Sequence, residues 1–171
     1  MVTEVEARPL LSGAGGYWQV IDEVASTMVI QQQDSLSCGP ACAEMLLQSQ
    51  GSINVSQAEI ARLTGVPVNV PALAAVLNQV DESGLRTWIG GFFEIEGASD
   101  EDVLGVLMET GSWIADLRET GGRLGHLVVV DGYDDLRRLC IRDPWEGTTY
   151  KIETEEFLKY WTLSGIYARP I

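Results

Sequence analysis

Gln31-Gln32-Gln33-Asp34-Ser35-Leu36-Ser37-Cys38-Gly39-Pro40-Ala41-Cys42-Ala43-Glu44-Met45-Leu46-Leu47 passes from a polar loop into an amphipathic helix, and does so at a cysteine. Pro40 suits a first helical turn, where its missing N–H costs nothing. Ala41, Met45 and Leu46 recur at helical spacing with Cys42 beside them, so one face is buried and the helix runs to about Gln50 before Gly51 stops it. A thiol reacts as its thiolate, and a free pKa of about 8.5 leaves little of that at neutral pH. The positive end of a helix and a nearby imidazolium both lower it. Cys38 has the first by position. The plain alternative is a small buried hydrophobe, the usual fate of a free cysteine, but the flanking Asp34-Ser35 and Gly39-Pro40 put Cys38 at a turn.

Working outward, a second helix opens on the capping box Ser56-Gln57-Ala58-Glu59 and turns Ile60 and Leu63 inward before Gly65 and Pro67 end it. A third runs from Pro71 through Leu73, Val76, Leu77 and Val80 to Gly84. A fourth starts at Ser99, with Asp100, Glu101 and Asp102 favouring its N-terminus, and buries Val103, Leu107 and Met108. Strands follow at Ser112–Leu117, His126–Tyr133, Arg138–Asp143 and Thr148–Ile152, separated by turn signals such as Gly121-Gly122 and Asp134-Asp135. Thr154 caps a short helix carrying Phe157, Leu158 and Trp161, and Ile166–Ala168 makes a last strand. Tyr17 to Ile30 holds a strand or a short helix. Helices first and strands second predict an α+β fold of two lobes with a cleft between them. Residues 1–16, ending Ser12-Gly13-Ala14-Gly15-Gly16, read as a flexible lead-in or linker remnant, and 17–171 as one domain.

The only histidine, His126, starts the strongest apolar strand, Gly125-His126-Leu127-Val128-Val129-Val130. A side chain at that edge can reach a cleft while its backbone is held rigid, which a general base requires. Asp143 ends the next strand, and pairing across the Asp134-Asp135 turn sets it beside the strand of His126, where a carboxylate can fix the ring tautomer. The plain alternative is that Asp143-Pro144 only starts a turn. Gln32 offers a side-chain N–H to an oxyanion, alongside the backbone N–H of Cys38, although Gln31 and Gln33 leave that choice open on chemistry alone. Cys42 and Cys140 read as core residues. Trp88, Trp113 and Trp145 are candidates for a subsite, though tryptophan is more often core packing.

Composition sets the bounds. A chain of 171 residues with 46% hydrophobic content fits one domain with an ample core. The net charge of −14 argues against a nucleic-acid or anionic-membrane surface and allows a basic partner. Three cysteines suggest no disulfide framework, and no apolar run reaches the ~20 residues of a membrane span. The acidic start Met1-Val2-Thr3-Glu4-Val5-Glu6 lacks the features of a signal peptide. No cofactor or metal is expected: a zinc site from Cys38, Cys42, His126 and Cys140 matches structural zinc spacing poorly.

Gln32…Cys38-Gly39-Pro40-Ala41-Cys42, Gly125-His126-Leu127-Val128-Val129 and Ile141-Arg142-Asp143-Pro144-Trp145-Glu146-Gly147 together resemble the papain-like cysteine peptidases. The likeness is greatest to compact bacterial ones: double-glycine leader peptidase domains of bacteriocin exporters, and papain-like effector and toxin domains. It covers most of residues 28–170. It implies a helical N-terminal lobe carrying the catalytic helix and a C-terminal antiparallel sheet or barrel. It also implies Cys38 as nucleophile, His126 as base, Asp143 as orienting residue and Gln32 as oxyanion donor. The interval from Cys38 to His126 is shorter than the roughly 130–150 residues of papain and cathepsins, so their substrate pockets do not carry over. The exporter membrane region is also missing, so double-glycine cleavage is not implied, and a flexible linker explains Gly15-Gly16 better.

The implied activity is endopeptidase cleavage of a protein or peptide substrate. The alternatives are a deamidase, transglutaminase or acyltransferase with the same triad, and an inactive peptide-binding module. The implied setting is cytoplasmic or delivered into a target cell as a bacterial toxin, with an immunity or inhibitor protein as partner.

Overall fold

Helix α1 (Cys38–Ser49) is buried on nearly every side, from Cys38 through Ala43 and again at Met45, Leu46 and Leu47. A helix apolar all round belongs in the middle of a fold, and the computed structural model, which describes residues 11–13, 15–52 and 54–171, places it there. Helices α2 (Gln57–Thr64) and α3 (Val70–Val80) pack against it. The Ser56 hydroxyl accepts from Glu59 N–H and the Asn69 side chain from Ala72 N–H, capping the two helices. Leu63, expected inward, lies exposed, because α2 is short and turns Ile60 alone into the core. Helix α3 stops at Val80 rather than Gly84. Asp81 caps it and receives the Trp88 indole N–H and the Arg86 guanidinium instead of extending the turn.

Among the described residues, nine strands form two sheets. The strands are β1 (Leu11–Ser12), β2 (Ile21–Ala25), β3 (Val68–Asn69), β4 (Arg86–Phe92), β5 (Trp113–Leu117), β6 (His126–Tyr133), β7 (Leu139–Asp143), β8 (Thr148–Ile152) and β9 (Trp161–Pro170). The larger sheet is antiparallel and open, in the order β2-β8-β7-β6-β5-β9-β4. The smaller one pairs β1 with β3. Residues 1–10 and Ala14 of the expected lead-in lie outside the described residues. Leu11 and Ser12 are strand residues paired to Asn69 and Val68.

Strand β6 is buried on both faces, and its alternation divides the core. Leu127 and Val129 face α1 and α3, together with Ile114 and Ile166. Val128 and Val130 face the opposite layer, where α4 (Asp100–Met108) and α5 (Thr154–Tyr160) bring Leu104, Leu107 and Phe157 against Trp113 and Trp161. The α+β class expected from the sequence is the one observed, with the sheet between two helical layers.

Three further details differ from the sequence reading. Thr154 is the first residue of α5, not its cap, and donates its hydroxyl to the Arg137 carbonyl. Cys140 is only half-buried. Strand β7 points Leu139, Ile141 and Asp143 inward, which leaves Cys140 on the outer side of the pleat. Trp88 and Trp113 are core residues, and of the three tryptophans proposed for a subsite only Trp145 is exposed.

Candidate active site

The loop before α1 is wound by Asp34, whose Oδ1 accepts from Leu36 N–H at 2.9 Å and from the Ser37 hydroxyl at 2.7 Å. That turn delivers Cys38 to the first position of the helix with its sulfur against β6. Leu127 N–H donates to Cys38 Sγ at 3.3 Å, and Cys42 Sγ–H donates to the carbonyl of the same Leu127 at 3.3 Å. One residue of the base strand therefore meets both thiols of α1. Gly39 makes this approach feasible: a Cβ there would lie 2.6 Å from Val68 Cγ2 and 3.1 Å from Leu127 Cδ1. Burial pushes the Cys42 thiol well above its usual pKa, with Cys38 and Asp143 adding to the effect, which fits a packing thiol.

His126 opens β6 and Asp143 closes β7, and the two meet through His126 Nε2–H donating to Asp143 Oδ1 at 2.6 Å. Asp143 is saturated with donors. Trp145 N–H reaches Oδ1 at 2.9 Å and the Tyr150 hydroxyl reaches Oδ2 at 2.7 Å. The Trp18 indole N–H in turn donates to the Tyr150 hydroxyl oxygen at 2.9 Å, and the Trp18 ring stacks on His126 with centroids 5.9 Å apart. Trp145 closes the other side of the imidazole edge-on at 6.2 Å. His126 is 1% exposed and Cys38 fully buried.

Burial alone would depress the pKa of His126, but the Asp143 carboxylate outweighs it and, with help from Cys38, holds the imidazole at about 10. Asp143 shows the reverse. Burial raises its pKa, yet the imidazolium charge, the His126 hydrogen bond, Trp145 N–H and Tyr150 together bring it below its ordinary value. The pair is thus an imidazolium–carboxylate pair at neutral pH. The free ring nitrogen, Nδ1, is buried without a hydrogen-bond partner among the described residues, and the Cys38 thiol is near enough to act on the ring's charge.

Of the three consecutive glutamines only Gln32 is buried. Its backbone N–H donates to the Pro144 carbonyl and its side-chain Nε2 to the Asp34 carbonyl, each at 2.8 Å. Gln57 clamps the neighbours, donating to Gln31 O and accepting from Gln33 N–H. The four residues singled out from the sequence, Gln32, Cys38, His126 and Asp143, therefore converge on one place. Sequence reasoning missed Trp18 and Tyr150. Tyr150 follows the inward alternation of β8 and could have been found from that register, whereas Trp18 lies in an irregular stretch with no periodic signal. Among the described residues no cluster of three or more histidine, cysteine or acidic side chains is placed to hold a metal ion.

Comparison with known proteins adds a family. Residues 25–168 match the model of the Peptidase_C39 like family. The chain is 36% identical over 166 residues to Cysteine protease effector 1 of Escherichia coli O1:K1:H7, an alignment that takes in 95% of this chain and 31% of that protein. The chain thus spans about a third of the length of this curated relative. In fold it is similar to the peptidase domain of Streptococcus ComA, described as a bi-functional ABC transporter involved in quorum sensing. That likeness has a TM-score of 0.65 and 23% identity, covering 84% of this chain and 98% of that one. The peptidase domain of Streptococcus mutans ComA is similar at a TM-score of 0.51 and 18% identity, over 84% of this chain and 99% of that one.

Proposed function

Since the chain belongs to the Peptidase_C39 like family of papain-like cysteine peptidases, we propose that it cleaves a protein substrate with Cys38 as nucleophile, His126 as general acid and base, Asp143 as orienting carboxylate and Gln32 as oxyanion donor. The observation that carries this reading is the buried 2.6 Å His126–Asp143 pair set beside a cysteine at a helix N-terminus.

In the first half-reaction Cys38 Sγ, as the thiolate whose proton the His126 imidazolium holds, bonds to the carbonyl carbon of the scissile peptide while the C=O π pair moves onto oxygen. The oxyanion is met by the backbone N–H of Cys38 and by the N–H of Gln32 Nε2 not spent on Asp34. Collapse of the tetrahedral intermediate breaks the C–N bond, and the His126 imidazolium gives its proton to the leaving amine. In the second half His126, now neutral, takes a proton from water as the hydroxide adds to the thioester. Sγ then leaves and the acid product departs. Asp143 does not change protonation state. It fixes the ring so that Nδ1 faces the sulfur and stabilises the imidazolium.

Cys38→Ala is expected to abolish turnover and leave the melting temperature near that of wild type. Retained activity in that variant sinks the assignment. Mass spectrometry of a treated substrate reads the acceptor: two fragments mean proteolysis, and a gain of about one mass unit with an intact backbone, the signature of an amide turned to acid, means deamidation.

The biological setting proposed is that of a delivered bacterial effector, which the name of the Escherichia coli relative supports, with a cognate immunity protein as its partner. Expression in a susceptible cell is expected to arrest growth only when Cys38 is present. Unimpaired growth with an active enzyme refutes this role.

A further inference from the structure

The stretch ahead of the family-matched region is threaded through the site. Leu11 and Ser12 pair antiparallel with Asn69 and Val68. On the opposite edge Gly125 N–H donates to the Leu11 carbonyl at 2.9 Å and Gly13 N–H donates to the Gly125 carbonyl at 2.8 Å. The Leu11 carbonyl takes a further hydrogen bond from Arg118 Nη2 at 2.9 Å. Leu11–Gly13 is therefore an extended chain bonded on both edges, between β3 and the residue immediately before His126.

Side-chain space is absent along this segment. A Cβ on Gly13 would stand 2.8 Å from the Leu36 carbonyl oxygen and 3.1 Å from Pro67 Cβ, and a Cβ on Gly15 would stand 2.8 Å from the Trp145 ring. Beyond them the chain is tied down again, by Tyr17 N–H to a Glu119 carboxylate oxygen and by Gln19 N–H to Glu156 at 2.7 Å. Between those ties Trp18 lies over His126. Gly13 thus lies against Leu36, two residues before Cys38, and against Gly125, the residue before His126, and Cys38 has no exposed surface. Main-chain bonding on both edges, with glycine at the tightest point, is how an extended peptide is gripped by strand addition.

We propose that the crevice between Val68–Asn69 and Gly125 is the peptide-binding groove of this site, and that the chain's own Leu11–Gly13 occupies it in cis, competing with external substrate. The proposal rests on Cys38 being the reacting thiol. A tethered competitor acts at an effective concentration on the order of mM. Shielding of about tenfold then corresponds to the free segment binding the open groove with a Kd on the order of 0.1 mM.

The test is the rate at which iodoacetamide alkylates Cys38 in the full chain, followed by mass spectrometry separately from Cys42 and Cys140. Gly13→Val, whose side chain meets backbone that cannot yield, is expected to speed Cys38 alkylation about tenfold, with Cys42 unchanged as the sign of an intact fold. Gly13→Ala gives a smaller step in the same direction and serves if the valine variant melts. A synthetic peptide of residues 8–16 restores protection to Gly13→Val at sub-millimolar concentration, and the same peptide with valine for Gly13 does not. An unchanged Cys38 rate in both folded variants, or equal protection by the two peptides, overturns the proposal. Because alkylation needs no turnover, a shielded but catalytically dead Cys38 would condemn the peptidase reading and leave this one standing. An active enzyme with an unshielded Cys38 would do the opposite.

Discussion

At the scale of the residue, His126 is the sole histidine, so its titration can be followed without overlap by NMR of the imidazole. It is expected to stay protonated through neutral pH and to lose its proton near 10, where Asp143 holds it. Asp143→Asn removes the charge that opposes burial, and the imidazole then titrates well below 10. A titration unmoved by that change would show that Asp143 does not govern the ring. Tyr150 lends itself to a different measurement. Its hydroxyl donates to Asp143 and accepts from Trp18, so Tyr150→Phe removes a buried hydrogen bond to a charged group, worth about 1.5–3 kcal/mol. Urea unfolding should show a loss of that order, together with a higher imidazole pKa, because a carboxylate with one donor fewer holds the imidazolium more strongly. A purely structural tyrosine would move the first quantity and not the second.

At the scale of the element, helix α1 and strand β6 are held at a distance that only glycine permits at position 39. Gly39→Val drives a side chain into Val68 and Leu127 and is expected to cost about 1–3 kcal/mol as overpacking, read as a lowered denaturation midpoint. An unchanged midpoint would mean that the helix can back away. The same elements show what could be read in advance. The Ser56 and Ser99 caps and the apolar runs of β5 to β8 were legible because local hydrogen bonding and simple alternation specify them. Only the family resemblance separated Gln32 from Gln31 and Gln33, whereas the approach of Asp143 to His126 was legible through strand order and chemistry. Strand β4 was not. It is an edge strand holding Gly90 and Gly91, and its half-buried run shows no alternation. Strand β9 is longer than the Ile166–Ala168 expected, because Leu163, with φ of 63°, sits in an irregularity that hides the period. The binding of Leu11–Gly13 was also hidden, since a glycine chosen for close approach looks the same in sequence as one chosen for freedom.

At the scale of the whole molecule, the His126–Asp143 pair gives stability a pH dependence at both ends of the range. The folded pKa of His126, about 10, stands above its ordinary value of 6.5. Its contribution to stability is therefore complete below 6.5 and lost as pH rises toward 10. Asp143, shifted below 3.8, contributes fully above that value and loses its contribution as pH falls through the folded one. Denaturation midpoints should thus fall between pH 6.5 and 10, and fall less steeply in Asp143→Asn. A wild-type midpoint flat across that interval would contradict the charged pair.

The order of the large sheet has its own consequence. Both edge strands, β2 and β4, precede the Thr110–Gly111 turn in the chain, while the five strands between them follow it. Neither segment can complete its hydrogen bonding alone, so a cut at the Thr110–Gly111 turn should yield two fragments that are separately inert. Mixing them should rebuild the enzyme, which makes this chain a natural substrate for split-protein complementation.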